Sequence, residues 1–368
     1  MMTSPIFLQR RMAVRPVRLI IPAAVLAITL TACALGPDLE TSGGQGASNA
    51  NVALARAHFE GDGRPVDAAR GVQLLIPEAE AGNAEAQFLL GLAYRDGLGV
   101  AKDPARALKM FEQAGAQGHP DASYLAGLAY FRGRGVEASG NQAFRHMSRA
   151  AGAGHAAAQY HLGLFHQTGT GTAKDAEAAI PWFLKAADQG FPEAAEALGF
   201  VYGNGIGVAK EPLWGLRWSE RAAAYGLAGA RYRAGAILAA GRLLPADRRT
   251  GLAYLILAAE ADIEGAEKLV AALEQQMAAD EIHKARSIAR NHQPARAGTV
   301  DDGDLATVRF AQAALIRAGI DPGPVDGLMG PRTRSAIATF RIREGISGSG
   351  IDKPFLDALR ARKNGRSS

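Results

Sequence analysis

The stretch from Asn83 to Gly118 returns 36 positions later from His119, again from His155 and again from Phe191, with worn copies from Leu227 and, upstream, from about Ala47. An internal period of roughly 20–50 residues constrains a fold more than composition does. Each copy is one supersecondary unit that cannot cover its own apolar face, so it must stack on its neighbours. Six such units tile residues 47–262 of a 368-residue chain.

The pattern inside a unit reads as helix–turn–helix. Alanine recurs at Ala86, Ala122, Ala158, Ala194 and Ala230, and glycine at Gly91, Gly127, Gly163, Gly199 and Gly235. Tyr94, Tyr130, His166 and Tyr202 follow on the same side of a helix, where the small residues admit a close neighbour. G-x-G then recurs at Gly97/Gly99, Gly133/Gly135, Gly169/Gly171 and Gly205/Gly207, supplying the positive φ that ends a helix and turns the chain. The second half carries an apolar stripe such as Ala179, Trp182, Phe183, Ala186 and Ala187, at helical spacing. The expected fold class is all-α: an α-solenoid of about six 36-residue repeats, followed by a small C-terminal three-helix domain.

On these residues the units resemble Sel1-like repeats, relatives of tetratricopeptide repeats. The resemblance implies a scaffold that holds a protein partner along a concave surface. It weakens in the first unit, where Pro77 is expected to interrupt the second helix, and in the sixth, where Leu243 replaces a glycine.

Charge argues against nucleic acid as a partner. The formal +5 comes mostly from Arg10, Arg11, Arg15 and Arg18 in an acid-free leader, leaving 37 basic against 36 acidic residues. Residues 1–32 read as a secretory signal, because the apolar run Leu19–Leu30 is shorter than the ~20 residues a membrane span needs. The run ends Leu30-Thr31-Ala32-Cys33, which resembles the bacterial lipobox. That resemblance implies lipid attachment at Cys33, the single cysteine of the chain, and therefore contact with a membrane. With Ala34 rather than Asp next, the sorting rule of enteric bacteria implies an outer-membrane lipoprotein facing the periplasm. Residues 33–51 read as a flexible tether, on the strength of the Gly/Ser/Asn/Gln-rich stretch Thr41–Asn51.

Residues 52–291 are assigned to the repeats with two capping helices, and 292–304 to a linker that gathers Pro, Gly and Asp. Residues 305–364 change texture and read as three short helices. Gln312-Leu315-Gly319, then Asp326-Gly327-Gly330-Thr333, then Ala336-Phe340 resemble the signature of a small peptidoglycan-binding domain. The resemblance implies peptidoglycan as partner and a site drawn from Gln312, Asp326, Gly327, Gly330, Arg332, Thr333, Phe340 and Arg341. Arg341 stands where that family usually has glutamine. Arg332, Arg334 or Arg341 could clamp stem carboxylates near a helix start, where unpaired N–H groups favour an anion.

Catalytic constellations are hard to find. Cys33 is taken by the anchor, so a cysteine nucleophile is excluded. His161 and His166 sit about 140° apart on a helix and do not converge on zinc with His155. Trp182 and Trp218, one period apart and aligned with Tyr254, are packing residues. Trp214 stands outside that register and reads as an exposed binding anchor. G-x-G repeats in four units, unlike a nucleotide fingerprint. The expectation is a non-catalytic adaptor with no cofactor and no metal. The alternatives are a scaffold for a wall enzyme or an export or secretion complex, and a peptidoglycan-processing enzyme.

Overall fold

The computed structural model describes residues 43–61, 66–241, 246–294 and 305–361. The leader, Cys33 and most of the 292–304 linker lie outside the described residues. Among those described there are seventeen helices and no strand. Two helices make a unit: α1 (Gly43–Glu60) with α2 (Ala68–Glu80), α3 (Ala84–Asp96) with α4 (Pro104–Ala116), and α5 (Pro120–Arg132) with α6 (Gly140–Gly152). Then come α7 (Ala156–Thr168) with α8 (Ala176–Asp188), α9 (Pro192–Asn204) with α10 (Pro212–Ala224), and α11 (Ala228–Ala240) with α12 (Arg248–Ala259). Helices α13 (Ala266–Glu274) and α14 (Ala279–Asn291) pack on α12 and end the stack. The C-terminal domain is α15 (Leu305–Arg317), α16 (Pro331–Glu344) and α17 (Lys353–Ala361).

Local chemistry sets the helix ends. Asn83, Asp103, His119, Ser139, His155 and Asp175 each accept a backbone N–H at a helix start, and Gly97, Gly133, Gly169 and Gly205 close a helix in the left-handed region. The second glycine of each G-x-G has another task. A Cβ on Gly99 would lie 2.3 Å from the Ala68 carbonyl, and one on Gly135 2.4 Å from that of Pro104. Those carbonyls belong to the first residue of the preceding unit's second helix, so this glycine sets how closely consecutive units stack.

The repeated alanines Ala86, Ala122, Ala158, Ala194 and Ala230 are all fully buried. Gly91 and Gly163 lie under the rings of Phe111 and Phe183, where a Cβ would come within 2.6 Å. Polar side chains at one repeat position tie unit to unit. Gln87 Nε2 donates to the Ala79 carbonyl at 3.0 Å, Gln159 Nε2 to that of Ala151 at 3.2 Å, and Arg231 Nε to that of Ala223 at 3.4 Å. Each of these carbonyls also accepts the N–H of the glycine three residues on, so the side chain of the next unit takes its second lone pair.

Two expectations change. The tether drawn over 33–51 gives way to helix α1 from Gly43, because Ser48 and Asn51 hydrogen-bond Asn83 and Glu78 of the repeats. Tertiary contact overrides the glycine-rich composition there. Pro77 does not interrupt α2, which runs through it to Glu80. It sits in the last turn, and its own carbonyl accepts the Ala81 N–H that caps the helix.

One helix departs from its counterparts. In α10 every residue from Leu213 to Ala223 is buried, whereas the other second helices keep a wet face. The reason is α15, which packs along it.

Candidate functional site

The C-terminal signature is held together by one amide. Gln312, buried on α15, donates from Nε2 to Asp326 Oδ1 at 2.9 Å, to the Leu328 carbonyl at 3.1 Å and to Thr333 Oγ1 at 3.1 Å. Its Oε1 accepts the Gly327 N–H at 2.8 Å. Thr333 in turn donates to the Pro322 carbonyl at 3.0 Å. The Asp326 carboxyl works against partial desolvation, yet bonds from Gln312 and the Leu328 N–H hold it below its ordinary value.

Burial separates scaffold from surface. Gln312, Gly327, Thr333 and Phe340 lie inside the domain and shape the turn. Arg341, the departure from the expected glutamine, is also inside at 3% exposure. Its guanidinium donates to both Asp352 carboxylate oxygens at 2.9 Å, to the Gly348 and Gly350 carbonyls at 3.1 Å, and to that of Ser347. That corrects the reading of Arg341 as a clamp for a stem carboxylate: every arm of its fork already has an acceptor in its own loop. Asp326, Leu328, Arg332 and Arg334 remain exposed, with Gly330 partly so. They surround the start of α16, where Gly330 offers no side-chain cap, so its N–H groups and the two arginines favour an anion.

On its other side α15 meets the solenoid, and here Trp214 corrects the sequence reading. It is 5% exposed, not a free anchor: the Phe310 ring meets it at 4.7 Å, and the guanidinium groups of Arg217 and Arg360 each lie 4.7 Å from its centre. Arg217 Nε donates to Thr307 at 3.0 Å, and Arg360 pairs with Glu211 at 2.8 Å. Arg309, 2% exposed, lies 3.4 Å from Glu220 and 3.1 Å from Asp247. None of Arg309, Phe310, Glu220 or Arg360 was singled out from sequence. The available signal was Trp214 itself, which replaces Arg106, Gln142 and Ala178 at its repeat position.

The solenoid histidines are engaged in structure. His119 and His155 cap Ala122 and Ala158 through Nδ1, stack on Phe88 and Tyr124 at 4.4 Å, and reach Glu85 and Asp121 through Nε2 at 3.1 Å. Their contacts hold both carboxyls below the ordinary value. Burial pushes His161 down to about 4. Among the described residues no group of three His, Cys, Asp or Glu could hold a metal ion. Phe88, Tyr124 and Tyr160 form a half-buried column one period apart, with Leu98, Phe131 and Phe200 between 44% and 48% exposed.

Sel1 repeats match at residues 48–83, 84–119, 120–155, 156–191, 192–226 and 228–263, more than half of the chain. This chain belongs to the Sel1 repeat family. Residues 305–351 of this Sel1 repeat protein match the peptidoglycan binding domain family. No curated protein matches the chain. Among solved structures, it is similar to a protective antigen of uropathogenic Escherichia coli displaying an SLR fold, at 24% identity and a TM-score of 0.61. That likeness covers 82% of this chain, which spans 62% of the antigen's length. A Sel1 repeat protein from Oxalobacter formigenes aligns at 28% identity and a TM-score of 0.52, over 60% of this chain and 88% of the other. The two likenesses agree on the helical-repeat fold. No helix among the described residues is long and apolar enough to cross a membrane.

Proposed function

We propose that this protein is a non-catalytic adaptor of the bacterial cell envelope. Its C-terminal domain grips peptidoglycan through the exposed edge at the start of α16, with Arg332 and Arg334 meeting wall carboxylates. The buried residues Gln312, Gly327, Thr333, Phe340 and Arg341 support that edge from behind, and Asp326 and Gly330 shape its turn. The solenoid recruits a protein partner, and Cys33, lipidated, ties the chain to the outer membrane from the periplasmic side. The observation that carries this reading is the packing of α15 along α10, which makes the wall module part of the repeat stack instead of a separate bead.

Retention on purified sacculi tests it. The full chain should sediment with wall material, and Arg332→Glu with Arg334→Glu should release it while the thermal melt stays unchanged. Retention equal to the unsubstituted chain would remove the α16 edge from the reading. Truncation before α15 is a poor control, because it would bare the Trp214 face of α10. Replacing Cys33 by Ala should move the protein to the soluble periplasmic fraction, and continued membrane association would remove the anchor.

A further inference from the structure

Three of the units close the turn between their helices by the same bond, from an acidic residue at the start of the second helix to an aromatic residue near the end of the first. The Asp103 N–H donates to the Tyr94 carbonyl at 2.9 Å, that of Asp175 to His166 at 2.7 Å and that of Glu211 to Tyr202 at 2.7 Å. A carboxylate and a ring are thereby fixed side by side. Such a pair suits a guanidinium, which needs an acceptor for its N–H fork and a π face for its plane.

Two of the three pairs hold an arginine. In the second unit it comes from α4 itself: Arg106 lies 5.6 Å from the centre of the Tyr94 ring and 3.2 Å from Asp103. In the fifth, where Trp214 stands at the Arg106 position, Arg360 of the C-terminal domain lies 4.8 Å from the Tyr202 ring and 2.8 Å from Glu211. In the sixth, Asp247 at the matching position takes Arg309 at 3.1 Å. The fourth unit keeps the pair and lacks the arginine, because Ala178 stands at the Arg106 position. Asp175 is exposed and His166 half-buried, with Phe144 meeting the imidazole nearly at right angles at 5.5 Å. Asp175 accepts the Ala178 N–H at 2.9 Å, and among the described residues no cation pairs with it. In the first unit Arg70 stands at the Arg106 position, and in the third Ser139 removes the carboxylate, so only the fourth offers the acid without an arginine.

We propose that Asp175 and His166 form an open socket for an arginine side chain of a protein partner, the same occupant that the next unit receives from the C-terminal domain. The proposal rests on the reading of the solenoid as a recruiter of protein and names one contact that the partner makes. It adds a charged contact to the apolar column of Phe88, Tyr124 and Tyr160. Arginine fits where lysine does not, since a point charge would use the carboxylate and leave the ring unstacked.

The test is titration of the full chain with N-acetyl-arginine amide and with its citrulline analogue, which keeps the shape and removes the charge, read by the backbone amide NMR shifts of His166 and Asp175. Arginine should give saturable shifts at both in the millimolar range. Citrulline should bind at least about tenfold more weakly, as expected when a charge-assisted contact is lost. Ala178→Arg, which gives the fourth unit its own arginine in register with Arg106, should abolish the response. Asp175→Asn keeps a residue that caps the helix, removes the charge and should weaken binding by about tenfold, so the outcome does not depend on one variant's folding. No shift with arginine, equal shifts with citrulline, or a response that survives Ala178→Arg would overturn the proposal. Photocrosslinking in cells from Phe131 reads recruitment separately. Protein adducts there without arginine binding leave recruitment standing and remove the socket alone, whereas no adduct from either Phe131 or Ala178 removes both.

Discussion

Replacing Arg309 by Met keeps an unbranched apolar stem and deletes the charged head. Arg309 is 2% exposed, as is Glu220 opposite it, and Asp247 completes the cluster at 28%. Removing one member of a buried ion pair costs about 3–5 kcal/mol, because the other charge stays behind without its partner. Asp247 can turn to water and Glu220 keeps further neighbours, which favours the lower end, about 3 kcal/mol. At 1.4 kcal/mol per decade that is roughly a 100-fold shift in the docking of the C-terminal domain on α10. The assay is hydrogen exchange of the α10 amides, read with tryptophan emission, since Trp214 and Trp218 are 5% and 2% exposed in the docked chain. Arg309→Met should speed exchange along Leu213–Ala223 and shift emission to the red, while α3 to α8 keep their protection. Arg249→Met is the control: it deletes an exposed pair with Glu281, which water already screens, and should leave the protection of α10 unchanged. Unchanged protection of α10 in Arg309→Met would refute the claim that this cluster holds the two parts together.

Three further outcomes follow from the geometry. Gly97→Ala and Gly99→Ala both place a side chain at positive φ, costing about 1–2 kcal/mol, but only the second drives a Cβ against the Ala68 backbone, adding about 1–3 kcal/mol in urea melts. Gln312→Ala strands the buried Gly327 N–H and takes the amide donor from Asp326 and Thr333. It should lower stability by about 1–3 kcal/mol and loosen sacculus retention, whereas the Arg332 and Arg334 changes loosen retention alone. His161, held by burial at about 4 against an ordinary 6.5, makes the unfolded chain the better proton acceptor in between. Stability is therefore full above pH 6.5 and falls toward pH 4, by at most about 1.4 kcal/mol per pH unit. His161→Phe should flatten that slope in melts taken across the window.

Much of this was legible in the sequence because a repeat states its own geometry several times. Gly91 and Gly163 appear as one column, and their meaning, a bare helix face under Phe111 and Phe183, follows from helical spacing. The motif turn was readable for a similar reason: Gln312, Asp326, Gly327 and Thr333 carry a spacing that serves a single local hydrogen-bond set. Their roles were less readable. Nothing in the order of residues distinguishes a glutamine that touches ligand from one that holds the turn, and burial decides it. Arg341 is the plainest case, since the acceptors that occupy it lie 6 to 11 residues ahead in an irregular loop. The docking of α15 on α10 was hidden altogether. Arg309 and Glu220 are 89 positions apart, and no period or motif connects them. Only Trp214, apolar where Arg106 and Gln142 stand in other units, marked the place, and an unmatched tryptophan fits an open binding site as well as a closed one.

The two faces of α15 leave room for docking and the proposed wall contact together. Gln312 reaches the motif turn and Phe310 reaches Trp214; two residues apart, they point roughly 200° from each other around the helix. The solenoid therefore occupies the side of α15 opposite the one that builds the α16 edge, and neither contact has to be broken to make the other. In the proposed adaptor, a freely tethered wall domain would let the repeats swing, whereas one buried against α10 would transmit the direction of the wall to the stack. A partner held on the Phe88, Tyr124 and Tyr160 column would then sit at a fixed bearing from the murein, which is what separates an adaptor that positions its cargo from one that merely retains it.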